Sequence, residues 1–288
     1  MAPLPMRDGL GPVRTVAGTG PLLGFLSGAY PNEPWSERLH AGDVVDRAGR
    51  TFDADAVVGN GTEVYFHLEP APETPVPFAL DILHQDDDIV VVDKPHFLST
   101  IPRGHHVRET ALVRLRAKTG MHNLVPAHRL DRMTAGVLIF IANPALRRSY
   151  QEMFASQRIH KTYEAIAPTL DIEFPRTVRT RIVKEHGVMV ARHEPGEPNS
   201  ETLVDVIARS AERALYRLEP KTGKTHQLRL HMASLGAPIL NDNYYPDYRP
   251  ERQPTFDRPL QLLARSIEFD DPVTGKRRRF ESRRRLEA

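Results

Sequence analysis

His128-Arg-Leu-Asp-Arg-Met-Thr-Ala-Gly136 runs directly into Val137-Leu-Ile-Phe-Ile-Ala142. The second stretch is an unbroken apolar run of strand length, the pattern of a strand buried on both faces. The first stretch sets an Asp, two Arg and a His at that strand's edge, where a rigid scaffold can hold a reactive side chain. Taken alone, a solvated polar loop is the plainer reading of these nine residues. The rest of the chain decides the matter.

Around this stretch the pattern is mixed. Ile89-Val-Val-Val-Asp93 predicts a buried strand. Thr110–Lys118 predicts a helix stopped at Gly120. Asn143-Pro144 supplies a cap and a first-turn proline for a helix with Leu146, Tyr150, Met153 and Phe154 on one face. Strands are expected at Thr162–Ala167, Leu203–Ala208 and Ala214–Glu219. Thr225 is the expected cap of a helix carrying Leu228, Met232 and Leu235 and ending at Gly236. Leu260–Phe269 and Lys276–Ser282 flank a turn at Asp271-Pro-Val-Thr-Gly275. Many strands without strict strand–helix alternation predict an α+β fold.

The expected domain organisation has four parts. Residues 1–20 read as a loose arm, and 21–68 as a small α/β module with a short helix from Trp35 to Gly42. Residues 69–77, with four prolines, read as a stiff linker, and 78–288 as the large domain.

Composition excludes several classes. The 288 residues include no cysteine, which removes disulfides, thiolate catalysis and Cys-based metal sites. Thirty-nine basic and 37 acidic residues leave a formal charge of +2, a weak excess that allows a nucleic-acid partner without requiring one. Its distribution says more. Basic patches at Arg103–Arg116, Arg147-Arg148, Arg158–Lys161, Lys276–Arg279 and Arg283–Arg285 suit a polyanion backbone. No apolar run reaches membrane length and no signal-peptide core opens the chain, so a cytoplasmic protein without a membrane partner is expected. With no heptad pattern, a monomer is expected.

Three segments concentrate polar groups beside apolar ones. One is the opening stretch. The second is Lys161-Thr-Tyr-Glu-Ala165, where strand periodicity sets Lys161 and Tyr163 on one face. The third is Lys221-Thr-Gly-Lys-Thr-His-Gln-Leu-Arg-Leu-His231. A single Asp without metal ligands or a Ser–His partner points to carboxylate chemistry, as nucleophile or general base. Arg229 is the candidate guanidinium for that carboxylate. His226 and His231 are five apart, the wrong spacing for a two-His metal face, and His105 and His106 are adjacent; no metal is expected. Thr222-Gly-Lys-Thr225 has the end of a phosphate loop but not its first glycine, so a nucleotide-hydrolase reading fails.

In order and spacing, the His128–Gly136 segment, Lys161-x-Tyr-x-Ala165 and Gly223-Lys-Thr-His-Gln-Leu-Arg-Leu-His231 resemble the RluA family of RNA pseudouridine synthases. Leu83–Pro95 and Ala233–Asp242 look like the family too. The resemblance implies the pseudouridine synthase fold, a mixed, mostly antiparallel sheet with flanking helices. It also implies an isomerase that detaches a uracil from its ribose in structured ribosomal or transfer RNA, turns it and rejoins it through carbon five, with no cofactor. By this likeness Asp131, Tyr163 and Arg229 would be catalytic. Asp131 would be the essential carboxylate, Tyr163 would stack on the target base, and Arg229 would hold Asp131 ionised. Arg129 would fill the gap left by the flipped uridine, and Leu230 would wall the pocket. His128, Leu130, Thr134, Lys161, His226 and Gln227 would complete the substrate site. Two departures stand out: Phe97 where the family often has Gly, and Ala135 for a common Ser. The small module looks like a degenerate form of the RNA-binding domain that many relatives carry. Two other readings compete. A catalytically idle RNA binder would be expected to have lost the Asp, Tyr or Arg, and none is lost. A glycosidase usually needs a second carboxylate.

Overall fold

A computed structural model describes residues 2–249 and 255–287. Met1, residues 250–254 and Ala288, which fall in the expected arm and large domain, lie outside the described residues. The chain forms two compact units, one of Met1–Pro72 with Arg116–His122, the other of Glu73–Leu115 with Asn123–Ala288.

The first unit contains β1 (Val13–Ala17), β2 (Gly20–Pro21), α1 (Leu22–Ala29), α2 (Trp35–His40), β3 (Val57–Val58) and β4 (Thr62–Phe66). Its core gathers Leu22, Leu26, Trp35, Leu39, Val64 and Phe66. The edge of the Trp35 ring meets Phe66 at 4.7 Å between centroids. Residues 13–17, read as part of a loose arm, are instead strand β1, paired antiparallel along β4. Alternating Val13, Thr15 and Ala17 carries that strand, but its partner is 49 residues away in sequence and invisible to local pattern.

The second unit is a mixed sheet of eleven strands. In chain order it comprises β5 (Asp81–Gln85), β6 (Ile89–Lys94), the start of α3 (Ala111–Thr119, whose last four residues fall in the first unit), β7 (Val125–Pro126), β8 (Ala135–Ile141), α4 (Arg147–Ala155), β9 (Ile159–Pro168), β10 (Arg176–Val183), β11 (Arg192–Glu194), β12 (Ser200–Arg209), β13 (Arg213–Pro220), α5 (Gln227–Ser234), β14 (Leu262–Asp270) and β15 (Arg277–Glu281). The strands lie in the order β11-β10-β12-β13-β9-β14-β8-β6-β5, with β7 on β8 and β15 on β14. Every pairing is antiparallel except β8 with β14, which agrees with the mixed, mostly antiparallel α+β expectation. All residues of β6 and β8 are buried, as unbroken apolar runs require. Tyr150 and Met153 of α4 close the core over Ile139, Ile141 and Phe269. The expected linker divides between the units. Its second half belongs with the large unit, where the Glu73 carboxylate accepts from the backbone N–H groups of Val107, Arg108 and Glu109. Among the described residues no helix is long and apolar enough to cross a membrane.

The parallel contact of β8 with β14 is made possible by one glycine. Gly136 has φ +113 and pairs with Ala264. A Cβ at this position would lie 2.2 Å from the Ala264 carbonyl oxygen, which is backbone and cannot swing away. Gly136→Ala is therefore expected to destabilise the fold by more than about 1 kcal/mol, measured as a lower midpoint in urea; an unchanged midpoint would contradict the close approach.

Both ring nitrogens of the buried His231 of α5 bond hydroxyls. Its Nε2 lies 2.9 Å from Thr180 Oγ1 and 3.1 Å from Ser200 Oγ, and its Nδ1 lies 2.9 Å from Thr202 Oγ1. Burial, and then neighbouring His193, pull its pKa down to about 4, below the ~6.5 of an unfolded histidine. Between those values the unfolded chain binds more protons, so this group's contribution to stability is lost as pH falls from ~6.5 toward 4. The drop in urea midpoint from pH 7 to pH 4.5 should be smaller in His231→Asn than in the parent; equal drops would refute the assignment.

Candidate active site

Asp131 sits in the loop between β7 and β8, four residues ahead of the buried strand. Its side chain is one-third exposed. The backbone on either side of it is tied to the segment that follows β6. The Thr100 hydroxyl donates to the Leu130 carbonyl at 2.7 Å and accepts from the Leu130 N–H at 3.1 Å. The Lys94 ammonium donates to the carbonyls of Leu98 (2.8 Å), Pro95 (3.0 Å) and Arg132 (3.3 Å). His96 Nδ1 lies 2.7 Å from the Met133 carbonyl oxygen, so that nitrogen carries the proton. A loop in sequence thus has the fixity of a packed element, which a reacting group needs. Burial draws the Lys94 pKa down to about 7, against the opposing pull of Asp131's negative charge.

Arg229, on α5, is fully buried at the side chain. Its Nε donates to Asp242 Oδ2 at 2.7 Å and its Nη2 to Asp242 Oδ1 at 2.5 Å, a bidentate pair. Nη2 also reaches Asn243 Oδ1 at 3.3 Å, and the guanidinium lies 4.4 Å from the Tyr244 ring. The remaining nitrogen, Nη1, is 4.0 Å from Asp131 Oδ2. Burial disfavours the guanidinium charge, but the hydrogen bonds and negative charge of Asp242, with the charge of Asp131, together outweigh it and raise the pKa. Arg229 therefore faces Asp131 as expected, while its main partner is Asp242.

Tyr163 of β9 is half-buried, and its hydroxyl has no hydrogen-bond partner among the described residues. Burial, and then the charge of Asp131, push the phenol well above its usual range, so it is neutral. Lys161 lies on the same strand, with Nζ 3.5 Å from the Thr222 carbonyl oxygen, and burial lowers its pKa. His226, with φ +56, precedes α5 and places Nδ1 3.0 Å from the Tyr245 hydroxyl. Arg129 is exposed, with no side-chain partner among the described residues.

Other expected contacts face inward. The ring of His128 stacks on Phe154 at 4.7 Å, and its Nε2 accepts from the Ile139 N–H at 3.3 Å. Burial, and then Lys161, pull its pKa down to about 3. Leu130 and Thr134 are buried, and the Thr134 N–H closes the turn on the Asp131 carbonyl at 3.1 Å. Leu230 packs with Ile182, Ala191 and Tyr245. Gln227 is buried with both ends of its amide engaged. It donates to the Glu201 carbonyl and Thr202 Oγ1, and it accepts from Thr222 Oγ1 and the Lys224 N–H. These groups shape the site from behind. The helix that carries Arg229 starts at Gln227 rather than at the expected Thr225 cap, because Gln227 itself binds the turn before it.

Asp242 is the residue sequence reasoning missed. Its segment resembles the family, but a second acid is expected from neither the Asp131 segment nor Glu164, which strand periodicity turns away from Tyr163. Nothing local marks Asp242 as the partner of a helix thirteen residues earlier. It also bears on the glycosidase reading. The second carboxylate is present, but it is buried and both its oxygens accept from Arg229, so it cannot serve as a free acid or base. Among the described residues no group of three or more His, Cys, Asp or Glu could hold a metal ion.

The family model described as RNA pseudouridylate synthase matches residues 88–234, about half the chain, and spans Asp131, Tyr163 and Arg229. The chain belongs to the RluA family of RNA pseudouridine synthases. It is similar to an uncharacterized RNA pseudouridine synthase of Synechocystis, 31% identical over 78% of this chain and 79% of that one. It is 32% identical to the dual-specificity RNA pseudouridine synthase RluA of Pasteurella multocida, over 68% of this chain and 89% of that one. Among solved structures it superposes on human RNA pseudouridylate synthase domain containing 4 with a TM-score of 0.57 and 25% identity, covering 72% of this chain and 88% of that one. As an RNA pseudouridine synthase it is an isomerase acting on RNA.

Removing the charge of Asp242 would leave the buried guanidinium uncompensated. Asp242→Asn is expected to cost about 3 kcal/mol or more, read as a lower urea midpoint. A midpoint within experimental error of the parent would show that Arg229 does not depend on this carboxylate.

Proposed function

We propose that this enzyme converts specific uridines of structured ribosomal or transfer RNA to pseudouridine, with Asp131 as its essential carboxylate. The observation that carries this reading is the partly exposed Asp131 in a pinned loop, 4.0 Å from a buried guanidinium and close enough to the neutral Tyr163 phenol to raise its pKa. The bond from ribose C1′ to uracil N1 breaks, the base turns, and a bond from C1′ to C5 forms. The C5 proton is lost and N1 gains one, so no oxidant or cofactor enters the balance. Asp131 attacks the sugar or the base, or assists a glycal route. Each route needs a carboxylate fixed beside the flipped nucleotide and partly shielded from water.

The other groups divide the remaining work. Tyr163 offers a half-buried ring against the uracil and a hydroxyl free to bond it. Arg129, exposed and without a side-chain partner among the described residues, enters the RNA stack where the uridine left, offsetting an unstacking cost of a few kcal/mol. Arg229 supports Asp131 from within the protein. His226, whose ring feels the charge of Asp131, borders the same space.

Asp131→Asn keeps the shape of the side chain and removes its charge. With RNA tritiated at uracil C5, the parent is expected to release tritium, and Asp131→Asn to fall to background while still binding the RNA. Tritium release by the variant at the parent rate would sink the Asp131 assignment. Binding without release by the parent would favour an idle RNA binder.

A further inference from the structure

The segment that follows Asp242 carries a ladder of rings leading outward from the site. Tyr244 covers the Arg229 guanidinium at 4.4 Å on its inner side, and that guanidinium is the one 4.0 Å from Asp131. Beyond it Tyr248 meets Tyr244 at 5.5 Å between centroids, with the planes inclined by 60°. Tyr248 is 49% exposed, and its hydroxyl has no partner among the described residues. A large ring left this open gains little for folding, since burial is what stabilises an aromatic side chain.

The ring is nonetheless held in place. Asp242 Oδ1 accepts from the N–H groups of Tyr244 at 2.7 Å and Tyr245 at 3.0 Å. The Tyr245 hydroxyl donates to the Ala191 carbonyl at 2.8 Å. The Arg249 N–H returns to the Asn243 carbonyl at 2.7 Å, closing the loop around Tyr248. His226 supports Tyr244 from the side, with ring centroids 5.2 Å apart. An exposed aromatic on a closed, anchored loop has already met most of its ordering cost, which is what a binding surface requires.

We propose that Tyr248, seated on Tyr244, is a stacking platform for an unpaired nucleobase flanking the target uridine. This rests on the RNA reading above and adds a subsite to it. A nucleobase is the ligand that matches, because every base offers a π-face to a ring, and recognition of single-stranded loops works through splayed bases stacked on aromatic side chains. The target uracil belongs beside Asp131 and Tyr163. Tyr248 lies one ring further out than Tyr244, at the place for a neighbour.

The probe is an RNA hairpin with an all-uridine loop, compared with the same hairpin whose loop riboses lack bases. Binding is followed by fluorescence anisotropy, which does not depend on turnover. Tyr248→Ala is expected to weaken binding of the uridine hairpin about tenfold, and Tyr248→Trp to keep the parent affinity. On the baseless hairpin parent and Tyr248→Ala should bind equally, since only phosphate and sugar contacts remain. Because Tyr248 is exposed, the thermal midpoint of the alanine variant should match the parent, which separates lost stacking from lost fold. Equal affinities of parent and Tyr248→Ala for the uridine hairpin would overturn the platform while leaving the RNA reading in place. A parent that binds neither hairpin would remove the RNA reading and the platform with it.

Discussion

A buried guanidinium cannot stand alone, and the way Arg229 is compensated organises this half of the molecule. Asp242 takes two of its nitrogens, Tyr244 covers its face, and one nitrogen is left toward Asp131. Because Asp242 also accepts from two backbone N–H groups of the following loop, the same carboxylate that neutralises Arg229 fixes the chain beyond it. The short helix α5 has no Ser or Thr side chain capping its start. Gln227 does that work by bonding back to Thr222 and Lys224, so the position of Arg229 depends on a buried amide. A pair with full geometry of this kind specifies one arrangement more than it adds net stability.

The opposite wall is built by different means. The carbonyls of Leu130, Arg132 and Met133 are bonded by Thr100, Lys94 and His96 respectively, so the Asp131 loop is held at residues on both sides of the carboxylate. The clamp is itself anchored. Asp93, next to Lys94, accepts from Ser282 Oγ and the Arg283 N–H, each at 2.8 Å. Arg284 reaches the Asp93 and Ala79 carbonyls. Residues 282–284, which the sequence marks only as part of a basic patch, are thereby a strap over the strand that carries Lys94. Arg284 spends its guanidinium on the fold, while Arg283 and Arg285 are exposed and keep their charge available to a polyanion.

Where one residue's neighbours decided the outcome, the sequence was readable. The apolar run from Val137 predicted β8, the spacing of Tyr150 and Met153 predicted α4, and the motif carried Asp131, Tyr163 and Arg229 into one neighbourhood. What escaped were pairings between distant segments. Strand β1 was hidden because its partner β4 is far along the chain. Strand β10 mixes polar and apolar residues too weakly to stand out, and β11, Arg192-His-Glu194, has no apolar residue to mark it. Helix α1, Leu-Leu-Gly-Phe-Leu-Ser-Gly-Ala, contains two glycines and carries no cap hydrogen bond, so only its packing of Leu22 and Leu26 makes it a helix. His128, Leu130, Gln227 and Leu230 sat in the right motifs, but a motif does not say which of its side chains face the ligand and which face the core.

Phe97 shows how a bulky residue can occupy a turn that favours glycine. The family's usual glycine suits a left-handed backbone, and Phe97 holds that conformation, with φ +66, despite its bulk. For a residue with a Cβ this costs of order 1–3 kcal/mol. The turn cannot relax away from it, because Lys94 needs the carbonyls of Pro95 and Leu98 on either side for its three hydrogen bonds. The ring is 1% exposed and packs between Phe78 at 6.1 Å and Phe256 at 5.3 Å. Full burial of such a ring stabilises by about 1.5–3 kcal/mol, enough to offset the backbone strain. The left-handed turn at Phe97 thus keeps the clamp on the Asp131 loop, and the ring adds an aromatic cluster beside it.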